Sequence, residues 1–194
     1  MSVQPGIGSE IVGAIRAFGW AVRFYAHHSW PLLALAAVPA IVRGMMALRS
    51  RHQMVADHTS EALEALVAVW RGALMLVIAG LDLLPDMPWW ESMWPGAWAA
   101  QMGGRLNAMS GRGPEWIGLC FWVAIVVVIF ALVLRSLTGP SLLTSVLMST
   151  GMPRQKATRR AEAIGFTVGN LITIPLTTLL LYAAVARAAL CLRR

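Results

Sequence analysis

The sequence predicts an all-α integral membrane protein: four transmembrane helices, an N-terminal amphipathic helix and a short interfacial helix between spans three and four. Three observations lead there. Of 194 residues, 58% are hydrophobic and 13% charged, whereas an ordinary soluble domain carries about 25% charged residues. Four segments approach the roughly 20 apolar residues needed to cover about 30 Å of hydrocarbon. Residues 85–98, PDMPWWESMWPGAW, hold four of the nine tryptophans beside acids, prolines and a glycine that would spoil a packed core. No repeat or low-complexity tract interrupts the chain, so 1–194 reads as a single membrane domain. The stretch up to Glu10 has neither a basic n-region nor a small-residue cleavage site, so the first span is expected to stay in the mature chain.

The elements follow in order. Over about 10–26, Arg16 and Arg23 fall seven apart on one helical face, with Ile11, Ile15, Phe18, Val22 and Tyr25 spread over much of the remainder. That pattern suits an interfacial helix, or an extension of span one past a kink or first turn at Pro31. Span one, about 31–48, is short and holds Pro39 and Arg43; span two, about 63–84, contains Arg71. Between 86 and 102 the chain should lie on the membrane. Trp89, Trp90, Trp94 and Trp98 are placed as interface anchors, because an indole ring is apolar while its N–H needs a partner. Pro88 and Pro95 interrupt a long helix there, although Pro95 suits the first turn of a short one from about Trp94 to Met102. Span three, 116–134, is uncharged throughout and closed by Arg135. From 140 to 150, between Gly-Pro and Gly-Met-Pro, Ser141, Thr144, Ser145 and Ser149 share one side of a short helix, read as surface-lying or re-entrant. Span four, about 163–190, is long enough to tilt or to continue past the interface, and carries Pro175 and Arg187.

Two features of the spans stand out. In span four, Ala161, Gly165, Gly169, Thr173 and Thr177 recur every fourth residue, a ridge of small side chains suited to close helix contact within the chain or with a partner. Ala36, Ala40 and Gly44 form a weaker version in span one. Arg71 is the costliest residue, at roughly 2.5 to 3.5 kcal/mol on insertion scales if it lies at mid-bilayer. Glu64 and Asp82 share its helix face but lie two or three turns away, so its partners are sought on other helices: Asn170, the span-four threonines, or carbonyls freed by Pro39 or Pro175.

Catalytic and cofactor signals are missing from the sequence. No HExxH, phosphate-binding loop, paired-carboxylate site or Ser/His arrangement occurs at membrane depth, so no catalytic residue, cofactor or metal is assigned. The four histidines, His27, His28, His52 and His58, fall outside the spans, which disfavours an intramembrane haem held by two of them. Cys120 and Cys191 are expected as free apolar thiols.

A net charge of +7 comes from fifteen arginines and one lysine scattered along the chain, which argues against a nucleic-acid footprint and for anionic lipid headgroups as counter-charge. The compact cluster Arg154, Lys156, Arg159 and Arg160 favours a cytoplasmic loop there, with both termini and the Trp-rich loop outside. The picture is similar to that of small bacterial integral membrane proteins, with a multi-pass location in the inner membrane. The expected function is a non-enzymatic accessory or structural subunit of an envelope complex that transports lipid or another solute, with membrane lipids and partner subunits as its contacts. The competing reading is a small homo-oligomeric transporter or channel with Arg71 and Asn170 along its path. A lipid-acting enzyme would have to rely on Asp82, Asp86 and Glu91.

Overall fold

The computed structural model describes residues 7–49, 57–91, 93–137 and 140–192; these form eight helices and no strand. Helices α1 (Ile7–His27) and α2 (Ser29–Arg49) meet at His28. The helical ladder is carried across that seam by the His28 N–H on the Phe24 carbonyl (2.9 Å) and the Leu32 N–H on the His28 carbonyl (3.4 Å). Pro31 accounts for the seam, since it offers no N–H to the His27 carbonyl one turn earlier. Then follow α3 (Asp57–Leu83), α4 (Pro95–Asn107), α5 (Gly113–Leu137), α6 (Pro140–Ser149), α7 (Arg154–Ala186) and α8 (Ala188–Cys191). Gly151 (φ 82°) takes the left-handed conformation just past the end of α6, Gly111 (φ 84°) takes it in the turn between α4 and α5, and Pro153 immediately precedes α7.

Among the described residues, three helices are long and apolar enough to cross a membrane: Ala65–Leu83 in α3, Gly113–Leu134 in α5, and α7. The run expected as span one falls on α2, whose apolar stretch Ser29–Met45 is shorter than the other three.

Helix α7 packs against every other helix, most extensively against α2. Gly13 lies beside Cys191 and Leu192, Trp20 beside Tyr182, Arg43 beside Asn170 and Gly44 beside Thr167. Thus α1 and α2 together run antiparallel to α7 and α8. Asp82 at the end of α3 meets Tyr182, making α3 parallel to α7, while Trp116 at the start of α5 meets Ala184, making α5 antiparallel. The Trp-rich segment, the start of α1 and the C-terminal turn therefore share one end of the bundle. The α6–α7 turn marks the other.

The first helix belongs to this bundle. Its Gly13, Ala14, Ala17 and Ala21 are buried against α5 and α7, leaving Arg16 and Arg23 on the outer face. Leu32, Leu74, Ile78, Leu119, Ile174 and Leu179 fill the core. Towards the start of α7 the packing changes to small residues: Ala36, Ala40 and Gly44 of α2 are buried, and a Cβ at Gly44 would overlap the Thr167 hydroxyl. The close contact of α2 with α7 thus uses the Ala163–Thr167–Asn170 face of α7.

Two backbone carbonyls at helix irregularities accept from tryptophans. Pro39 has no N–H, so the Leu35 carbonyl loses its ladder donor, and the Trp70 indole N–H of α3 donates to it instead. Where α7 ends at Arg187, the Trp116 indole N–H donates to the Ala184 carbonyl at 2.8 Å.

Candidate functional site

Asp82 occupies the last turn of α3 with a side chain only 5% exposed. A buried carboxylate is costly unless paired and hydrogen-bonded, and the C-terminal end of a helix already carries partial negative charge. Three donors answer this. Arg105, in the last turn of α4, bonds Oδ2, Arg187 bonds Oδ1, and the Tyr182 hydroxyl donates to Oδ2 at 2.9 Å. Arg187 sits at the break that ends α7, where a cation complements the helix dipole, and its guanidinium carbon lies 4.7 Å from the centroid of the Trp20 ring. Trp20 also packs on Tyr182 (5.9 Å) and Phe24 (4.9 Å), and Phe24 on His28 (4.5 Å).

The cluster joins α1, α3, α4 and α7 at the Trp-rich end. Both oxygens of Asp82 are engaged, and the two guanidiniums, 27% and 23% exposed, leave a surplus positive charge turned outwards. Chemically this is a tie: both oxygens of its carboxylate are occupied, and the remaining guanidinium N–H groups can only donate, to anions, carbonyls or water.

The residues singled out from the sequence take different places. Ala161, Gly165 and Thr177 are buried while Gly169 and Thr173 are half-buried, and the Thr177 hydroxyl donates within α7 to the Thr173 carbonyl at 2.7 Å. Asn170 accepts from Arg43 at 3.3 Å and donates to the Phe166 carbonyl at 2.7 Å. Asn170, sought from the sequence as one candidate partner of Arg71, is thus bonded by Arg43, because α2 lies along this stretch of α7. Arg71 is half-buried on α3, next to Trp70. Trp89, Trp90 and Trp94 are exposed, whereas Trp98 is 8% exposed and joins the core, the buried residue through which α4 is attached. Asp86 and Glu91 are exposed, and Cys120 and Cys191 are free thiols. His52 lies outside the described residues, as do the side chains of His58 and Glu64.

Tyr182 and Trp20 were not legible as site residues. The available signal was weak: Asp82 closes one apolar span and Arg187 interrupts another, and opposite charges at span ends are natural partners.

Comparison of the chain with protein-family models, with curated proteins and with solved structures finds no match. What the fold itself defines is an all-helical protein whose three long apolar helices fit a multi-pass membrane protein.

Proposed function

We propose that the chain is a non-catalytic, four-pass subunit of a larger envelope assembly in a bacterial inner membrane, one that moves lipid or another solute. The observation that carries this reading is the division between inward polar groups and an outward apolar face. Asp82, Arg105, Arg187 and Tyr182 are engaged in holding helices together, whereas only 11% of the α5 span is buried. Ile117, Phe121 and Leu132 of that span are 60–67% exposed. A helix so apolar and so uncovered needs lipid or other transmembrane helices around it. Helix α2, continued by α1, supplies the fourth pass. With four passes the termini and the Trp-rich segment share one side, and the basic cluster at 154–160 assigns the opposite side to the cytoplasm.

Purification from the native membrane in mild detergent, followed by native mass spectrometry, tests the proposal. Recovery within one larger complex of reproducible composition is expected. A clean homo-oligomer overturns it in favour of a self-sufficient transporter or channel with Arg71 and Asn170 along the path.

A further inference from the structure

At the end of the bundle opposite Asp82, a shallow cavity open to the surface is lined by four side chains of the first two turns of α7, Arg154, Gln155, Thr158 and Arg159. We infer that this cavity binds the phosphate of an anionic phospholipid, an inference that rests on the membrane-spanning reading of α7.

The cavity offers two guanidiniums, whose planar forks match phosphate oxygens, and the amide of Gln155. Thr158 offers the phosphate no donor, because its hydroxyl proton goes to the Arg154 carbonyl at 2.9 Å. Lys156 and Arg160 stand exposed beside it, and with the half-buried Glu162 counted in, residues 154–162 keep a net charge of +3. Depth fits as well. Helix α7 has 33 residues, about 50 Å at the helical rise, against a hydrocarbon layer of about 30 Å. Its charged residues all fall in the first nine positions, so the cavity sits at headgroup level.

Apolar surface beside the cavity favours a lipid over a free anion. Phe166, 50% exposed, lies two turns below Arg159 on the same helical face, and Gly169 below it is only half-buried. Helix α6, packed on α7, exposes Val146 and Met148. A phosphate held by the arginines would let an acyl chain run down over Phe166 towards the bilayer.

The test uses the full chain in mild detergent, titrated with phosphatidylglycerol or phosphatidylcholine of matched acyl chains and read by native mass spectrometry. Phosphatidylglycerol should be retained in preference. Since each surface arginine contributes about fivefold to anionic-lipid affinity, Arg154→Gln with Arg159→Gln should lower that retention about 25-fold. Added salt should weaken it too. Arg23→Gln, on the exposed face of α1, should leave it unchanged. If the double variant unfolds, Arg154→Gln alone, at an exposed position, should lower retention about fivefold at unchanged thermal midpoint. Equal retention of the two lipids, or undiminished phosphatidylglycerol binding in a folded variant, overturns the inference. Binding of inorganic phosphate without lipid preference also overturns it and reassigns the cavity to a free anion. Resistance of the protein to alkaline carbonate extraction separates the two readings: a chain that stays in the membrane yet shows no lipid preference loses this inference alone.

Discussion

Asp82 stands where a helix dipole disfavours a carboxylate, so its three donors should show in stability. Asp82→Asn leaves Arg105 and Arg187 facing each other without a counter-charge. Breaking a buried pair costs about 3 to 5 kcal/mol, and the partial exposure of both arginines brings the expected loss to about 2 kcal/mol. Tyr182→Phe removes one hydrogen bond while both arginines remain on Asp82, a loss of about 1 kcal/mol. Thermal midpoints in detergent should therefore fall more for Asp82→Asn than for Tyr182→Phe. The reverse order would mean that packing of the tyrosine, and not the charge, holds this end together. Asp82 could be read from the sequence as a charge at a span end, Arg187 as one near the close of the last span and Arg105 as one between spans, but their convergence could not. The partners lie 23 and 105 residues from Asp82 along the chain, and Tyr182 lies 100 away.

Between elements, two contacts set how helices meet. The Trp70 indole answers the carbonyl that Pro39 leaves without a donor, so Trp70→Phe should cost about 1 to 3 kcal/mol in the native proline background. Pro39→Ala restores an N–H at position 39, and in that background the same tryptophan substitution should cost distinctly less. Equal costs in both backgrounds would show that Trp70 acts by packing alone. Gly44 governs the seam of α2 with α7. Gly44→Ala forces a methyl group onto the Thr167 hydroxyl, and overpacking of this kind costs about 1 to 3 kcal/mol. Gly72→Ala on α3 meets nothing within 4 Å, and relief of the helical glycine penalty should raise stability by up to about 1 kcal/mol. Opposite shifts of the thermal midpoint for these two substitutions are the expected outcome; a drop for both would place α3 against a further surface at Gly72.

For the whole molecule, the proposed orientation is open to direct labelling. Glu91 and Thr150 are both exposed and belong to opposite ends of the bundle. With Cys120 and Cys191 replaced by alanine, a cysteine at position 91 should react with a membrane-impermeant maleimide in intact cells, and one at position 150 only after lysis. The opposite pattern reverses the orientation. Reaction at both positions in intact cells removes the four-pass arrangement, and with it the headgroup depth assigned to the start of α7.

The sequence by itself determined that the chain is helical, with long apolar runs, and where several of its turns fall. Hydropathy and turn chemistry are properties of neighbouring residues, so the long apolar runs in α3, α5 and α7, the Gly-Met-Pro corner before α7 and the proline start of α4 are written locally. Tertiary structure alone decided which helix faces which. It made α1 a packed member of the bundle, gave Asn170 to Arg43, drew Trp98 out of the aromatic cluster into the core and centred the polar residues of one end on Asp82. The physical reason is that an apolar helix can present any of its sides to a neighbour at similar local energy. The choice among them falls to contacts between residues far apart in the chain, such as Gly44 with Thr167 and Asp82 with Arg187.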